Sequence, residues 1–136
     1  MTVAAADPCP CGRFDARQRP LPFARCCGAY LADFANTPAP DAESLMRSRY
    51  CAFVLQRADY LLATWQPSLR PPSVEFEPGL KWLGLEFKDH RQLDDTHAEV
   101  EFIARSRLAG KAHRLHERSR FVREGGRWYY VDGDLH

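Results

Sequence analysis

Four cysteines, Cys9, Cys11, Cys26 and Cys27, fall close together near the start of the chain. Thiolates at such density are metal ligands first, and four of them satisfy Zn²⁺ tetrahedrally. The spacing is irregular: one residue separates the first pair and none the second, where ordinary fingers leave roughly two to four. Pro10, Gly12 and Gly28 supply the bends that such close ligands require. A four-thiolate site keeps a net negative charge, and Arg13, Arg17, Arg19 and Arg25 are at hand to offset it. With no open coordination position, the site is expected to be structural rather than catalytic. The competing readings are a disulfide pair, a redox dithiol and free thiols. A reducing compartment disfavours the first, and the absence of Cys-x-x-Cys at a helix start disfavours the second. Cys51 stands apart and reads as a buried helical thiol rather than a fifth ligand.

A second set of residues could do proton chemistry. Leu115, Glu117, Ser119 and Phe121 alternate along one strand and share the face assigned to the interior. Glu117 is thus a carboxylate on an apolar face, which needs a partner or a proton. A buried ion pair with Arg47 or Arg49 is the simpler expectation. The catalytic version makes Glu117 or Asp59 a general base, with Tyr50, Tyr60 or Tyr130 as donors. Trp65, Trp82 and Trp128 read as core because their neighbours are apolar. No two of the histidines have metal-ligand spacing, and His113 and His116 would face opposite sides of a strand.

The elements that must position these groups follow from period and punctuation. Residues 9–30 read as loop, broken by Pro10, Pro20 and Pro22, and residues 35–40 (ANTPAP) read as a linker. Asp41 is a candidate N-cap, with Glu43 in the first turn of the helix that follows. Met46, Tyr50, Phe53 and Val54 then form one apolar stripe of an amphipathic helix. Ala58, Leu61, Leu62 and Trp65 form a second stripe, ended by Pro67. From residue 74 the period becomes strand-like: 82–87, then 98–108, then 112–123, with Gly125-Gly126 turning into a last strand. Helices followed by an antiparallel meander of three to five strands make an α+β fold, in which a curved sheet wraps its helices as a cone. The expected organisation is a cysteine module over 1–34, a linker over 35–40 and the cone over 41–136.

Bulk properties narrow the function classes. The 136-residue chain is 45% apolar and 27% charged, with net charge +1, so it is globular and carries no field that recruits nucleic acid or membrane. It has no membrane-length apolar run and no secretory leader, which points to the cytoplasm. The excess positive charge sits in the cysteine segment.

Cys9-Pro10-Cys11-Gly12 with Arg25-Cys26-Cys27-Gly28-Ala29-Tyr30-Leu31 resembles the SEC-C motif, a zinc-binding element also found at the tail of the preprotein translocase ATPase. Leu45 to Val54 (LMRSRYCAFV) closely resembles the helix of the bacterial YchJ family, and Ala58-Asp59-Tyr60-Leu61, Trp82-Leu83-Gly84-Leu85, Glu117 to Phe121 and Trp128 to Gly133 extend the likeness over nearly the whole chain. The resemblance implies a zinc site at the four cysteines and a cone of the nuclear-transport-factor type. It implies no reaction. The segment between the cysteine pairs, FDARQRPLPFA, is longer than the motif's usual one, which loop-closure entropy tolerates. The chain ends at Asp134-Leu135-His136 without the second cysteine motif of some relatives, so a role needing two zinc modules is not expected. The expected function is a zinc-binding protein whose basic cysteine module recognises a protein or ribosomal partner. The alternatives are an isomerase- or dehydratase-like enzyme in the cone, and a weakly binding nucleic-acid knuckle.

Overall fold

A computed structural model describes residues 2–136; residue 1 of the expected cysteine module lies outside the described residues. The elements are a short 3-10 turn at Phe23–Arg25, helices α1 (Cys27–Ala32), α2 (Ala42–Leu55) and α3 (Ala58–Ala63), and strands β1 (Lys81–Gln92), β2 (His97–Leu108), β3 (Lys111–Glu124) and β4 (Arg127–Leu135). No helix among the described residues is long and apolar enough to cross a membrane.

The four strands form one antiparallel sheet in chain order. Alternation in the sequence is what sets its register. Ala98, Val100, Phe102 and Ala104 of β2 lie opposite Phe121, Ser119, Glu117 and Leu115 of β3, so one face collects both sets. Register shifts at Trp82/Gly84, Phe87/Asp89 and Arg120/Phe121 bend the strands and curve the sheet over α2. After α3 the chain runs along β4: Gln66 N donates to Tyr130 O at 2.8 Å and Tyr130 N to Thr64 O at 2.8 Å. This is the α+β cone that the element order predicts.

Helix α2 begins as expected. The Asp41 side chain accepts from Ser44 N at 2.7 Å, a cap worth about 1 kcal/mol. It ends at Gln56, which takes the left-handed conformation (φ 56°) and returns its N–H to Phe53 O. The single apolar stripe is where the sequence reading needs correction. Eleven of the fourteen residues of α2 are buried, including Ser44, Arg47, Ser48, Arg49 and Cys51. A single stripe requires water on the polar side, and here the cysteine segment and α3 cover that side. Leu45 and Met46 pack into a core with Ala98, Val100, Phe121 and Trp128. Tyr50, Cys51, Ala52 and Val54 pack into a second core with Cys9, Cys11, Cys26, Cys27 and Leu31. The helix is therefore the wall between two interiors.

Residues 9–30, read as loop, contain the 3-10 turn and most of α1. A six-residue helix has little intrinsic stability, so packing holds it: Cys27 and Leu31, one turn apart, are both buried. Arg57 donates to Leu31 O at 3.1 Å at its far end. The segment after it is also tethered. Arg127 of β4 donates to Phe34 O (2.7 Å) and Ala35 O (2.8 Å), with its guanidinium 4.5 Å from the Phe34 ring centre.

Candidate metal centre and cone pocket

The first cysteine pair sits on a tight turn closed by Gly12 N to Cys9 O at 3.0 Å, with Gly12 at φ 76°. Cys9 N is anchored to Leu21 O at 2.9 Å, and Pro8 and Pro22 bridge beside it. The second pair straddles the junction between the 3-10 turn and α1; Cys26 N donates to Phe23 O at 3.0 Å. Gly28 is required by crowding: a Cβ there would lie 2.6 Å from Phe23 O.

Both pairs turn their sulfurs inward. All five cysteines are free thiols and buried. Cys9, Cys11, Cys26 and Cys27 have their Sγ atoms within 4.8 Å of one another. Cys11 to Cys26 is 3.6 Å and Cys26 to Cys27 is 3.9 Å. A tetrahedral Zn²⁺ with Zn–S bonds of about 2.3 Å spaces its sulfurs about 3.8 Å apart, so the donor set fits. Without metal the thiols share protons. The hydrogen bond from Cys26 drives Cys11 toward thiolate, and the same bond drives Cys26 the other way. Cys51 Sγ lies 3.6 Å from Cys9 Sγ but outside the mutually close set, so it borders the site from α2.

The arginines expected to offset the thiolates are not the ones that do so. Arg17, Arg19 and Arg25 are exposed and make no side-chain hydrogen bond or ion pair among the described residues. Arg13 turns to α2, donating to Ser44 Oγ at 2.9 Å with Glu43 at 3.5 Å. The compensating cation is Arg47, which the sequence reading placed in the cone. It donates to Cys11 O at 2.9 Å and to Glu43 at 2.8 Å, with its guanidinium 5.5 Å from the Phe87 ring centre. Burial pulls its pKa down, but the Glu43 hydrogen bond and the charge of Cys11 outweigh that and raise it. The Glu43/Arg47 spacing of four was the available signal.

On the other side of α2 the cone encloses a cavity of about 240 Å³. Its walls include Tyr50, Trp65, Trp82, Phe102 and Tyr130, with Arg49 and Glu117 as the charged groups. Leu115, Ser119 and Phe121 share the lining with Glu117, as their alternation predicts. Glu117 forms no salt bridge with Arg47 or Arg49 in the structure. Instead its Oε2 accepts from Ser119 Oγ and, at 3.4 Å, from the Tyr130 hydroxyl. Gly133 makes room for this: a Cβ there would meet Glu117 Oε2 at 2.5 Å.

Arg49, only 6% exposed, donates through Nη1 to Leu61 O (2.8 Å) and Thr64 Oγ1 (2.7 Å). Its guanidinium lies 4.5 Å from the Tyr130 ring centre and 5.3 Å from that of Trp65. Burial lowers its pKa to about 10, against the charges of Tyr130, Tyr60 and Glu117, so it stays cationic at neutral pH. Trp65 Nε1 is buried in the same wall without an acceptor.

Two candidates fall outside the pocket. Asp59 is on the surface, held by Arg57 at 2.9 Å, and cannot serve as a base in the cone. Tyr60 is buried on the cysteine side, hydrogen-bonded to Ser48 Oγ at 2.7 Å. Trp128 is core, whereas Trp65 and Trp82 form pocket wall.

Comparison with known proteins agrees with this architecture. The family model described as the YchJ middle NTF2-like domain matches residues 41–133. A UPF0225 protein from Polaromonas sp. (strain JS666) is 74% identical over 127 residues, covering 93% of this chain and 91% of its own. The UPF0225 protein of Bordetella pertussis is 58% identical over 128 residues, covering 93% and 92%. The solution structure of a SEC-C motif containing protein from Rhodopseudomonas palustris superposes with TM-score 0.78 at 32% identity, covering 93% of this chain and 97% of that one. The crystal structure of a SEC-C motif containing protein from Psychrobacter arcticus gives 0.79 at 30% identity, covering 97% and 84%.

Proposed function

This chain belongs to the YchJ family, and from that premise we propose that it is a zinc-stabilised binding protein whose cysteine module docks an acidic protein surface. The observation that carries the reading is the orientation of the module. Its sulfurs face inward against α2, and residues 16–20 of the segment strung between the two pairs are exposed.

That segment is pre-shaped. Asp15 N donates to Arg19 O at 2.8 Å, and the Asp15 carboxylate accepts from Arg17 N (2.8 Å) and Arg19 N (3.0 Å). At its base Phe14 is 56% exposed, beside the exposed Arg17 and Arg19. An exposed aromatic with unpaired guanidinium groups is the composition of an interface hot spot, and a rigid turn lowers the entropy lost on docking. A closed four-sulfur site has no position for substrate, so Zn²⁺ is proposed as the clasp that shapes this surface.

Substituting the cysteines alone is a poor test, because they are core residues and their loss would disturb α2. The discriminating variant is Arg17→Glu with Arg19→Glu, which touches no buried group. Metal analysis should give one Zn²⁺ per chain in wild type and variant alike. Partners captured by the wild-type protein, the ribosomal fraction included, should be lost from the variant. An unchanged set of partners would remove the docking surface, and a different resident metal would remove the zinc assignment.

A second reading has its own observation. The cone holds the Glu117 carboxylate and the Tyr130 hydroxyl 3.4 Å apart, the base and donor that an isomerase or dehydratase requires. Any such chemistry first requires that the cone bind a molecule.

A further inference from the structure

We propose that the cone cavity is a binding site for a small, uncharged, ring-containing molecule that presents a carbonyl-type acceptor at one end and a hydroxyl or N–H donor at the other. The inference is independent of the metal site and of the docking surface.

Size comes first. A dry cavity of roughly 150 Å³ accepts benzene, so about 240 Å³ accommodates a substituted single ring and little more. The aromatic walls favour a flat, apolar body. Leu115, 37% exposed, marks the mouth, while Met46 and Phe121 (4% and 2% exposed) form the floor.

The polar groups fix the ends. Arg49 uses only Nη1 on the protein; its Nε and Nη2 have no protein acceptor among the described residues. Glu117 has its Oε2 occupied by Ser119 and Tyr130, and its Oε1 has no protein donor among them. Both side chains line the cavity, so these atoms are the hydrogen-bonding capacity available to a ligand there. Tyr130 separates them: the guanidinium lies over its ring and the carboxylate at its hydroxyl. A donor over the Tyr130 ring and an acceptor at its hydroxyl are matched by a ring that carries its own acceptor and donor at separate positions.

Charge selects among such molecules. The cavity holds one cation and one carboxylate, so an anionic ligand gains at Arg49 what it loses at Glu117. A neutral molecule with both hydrogen-bonding ends gains at both.

The test uses 4-hydroxybenzamide as the matched probe, with benzamide lacking the donor and phenol lacking the acceptor. Binding to the intact protein is followed by tryptophan fluorescence and by NMR shifts of pocket residues. The matched probe should saturate and bind about tenfold tighter than either half-probe, the effect of one hydrogen bond to a charged group. 4-Hydroxybenzoate should bind no tighter than the amide. Glu117→Gln should erase most of the advantage over benzamide. Leu115→Trp, a change at the exposed mouth that leaves the core untouched, should block every probe. No saturable binding of the matched probe, equal binding of all probes, or binding indifferent to Leu115→Trp would each overturn the proposal.

Discussion

Arg47 and Arg49 sit two residues apart on one helix, both nearly buried (8% and 6% exposed), yet they belong to different kinds of interior. Arg47 faces the cysteine side, where a carboxylate and a main-chain carbonyl take its charge and the surroundings are closed. Arg49 faces the cone, where it has two neutral acceptors, two aromatic faces and no carboxylate within ion-pair reach among the described residues. The difference shows in their titration: net raised for Arg47, lowered to about 10 for Arg49. One side of α2 is closed around the four-sulfur set, with its buried arginine engaged. The other keeps hydrogen-bonding capacity in reserve.

The largest effect should come from breaking the closed side at its centre. Cys26→Ser with Cys27→Ser removes two of four ligands from a core that α2 shares. Metal should be lost, and unfolding should shift by several kcal/mol, since structural Zn²⁺ contributes on the order of 10 kcal/mol to the folding of small domains. Cys51→Ala sharpens the point. It should keep one metal per chain, because the four-sulfur set is complete without it, and cost about 1–2 kcal/mol as lost packing. Metal analysis with urea titration checks both, and metal lost from Cys51→Ala would make that sulfur a ligand.

Next in size is the arginine pair itself. Arg47→Met leaves the buried Cys11 O without its donor and Glu43 with only Arg13 at 3.5 Å, and should cost about 3 kcal/mol. Arg49→Met leaves Leu61 O with only Thr64 Oγ1 at 3.4 Å, while Thr64 Oγ1 still reaches Tyr60 O at 2.7 Å, and should cost about 1–2 kcal/mol. Equal losses in a urea titration would mean that the two sides of the helix are alike.

The sequence made the sheet easier to read than the helix wall. Alternation in β2 and β3 and the Gly125-Gly126 turn carry their own register, because strand pairing is a period-two property visible in each segment. It also placed Leu115, Glu117, Ser119 and Phe121 on one face. What covers the polar side of α2 is not a local property. Ser44 and Ser48 lie off the apolar stripe and Arg47 is assigned to the cone until the cysteine segment and α3 are laid over the helix, so the single stripe and the role given to Arg47 both fail there, while Cys51 is the buried thiol expected. The exchange of an Arg–Glu117 pair for Ser119 and Tyr130 depends on Gly133 leaving space across the strand pair, which no periodicity announces. Helix α1 was hidden for the same reason, since its short length gives propensity little to act on.

The aromatic content of the two interiors gives a smaller, pH-dependent contrast. Burial raises Tyr60 on the cysteine side, Tyr130 on the cone side and Tyr50, which touches both, to about 12. A folded-state pKa above the unfolded value of about 10 means that the folded chain holds the proton longer. The stability these groups contribute is complete below pH 10 and falls as pH rises toward 12. Tyrosinate absorbance should therefore rise late and together with loss of the near-ultraviolet dichroism of the folded state. Titration of all tyrosines near pH 10 with the fold intact would contradict their burial.

The smallest effect is expected at the outer face of the sheet, where charge is again paired but water is present. Arg118 of β3 reaches Glu99 at 2.8 Å, Glu101 at 3.0 Å and Asp89 at 3.2 Å, across β2 to β1. Its geometry resembles that of Arg47 and it has more carboxylate partners. Distance is thus not what separates the two. Arg118 and Asp89 have side chains 21% and 55% exposed, so solvent screens the attraction and hydrates the carboxylates when the arginine is removed. Arg118→Ala should cost about 0.5–1 kcal/mol at low ionic strength, mostly through repulsion among the three acids left in place. In salt of about 1 M, where the Debye length is about 3 Å, most of that cost should vanish. Arg47→Met should keep more of its cost in salt, because Arg47 is itself buried and one of its acceptors, Cys11 O, is an uncharged carbonyl in the closed interior. A salt-independent Arg118→Ala would place the outer face among the closed interiors and erase the distinction that burial draws between the two networks.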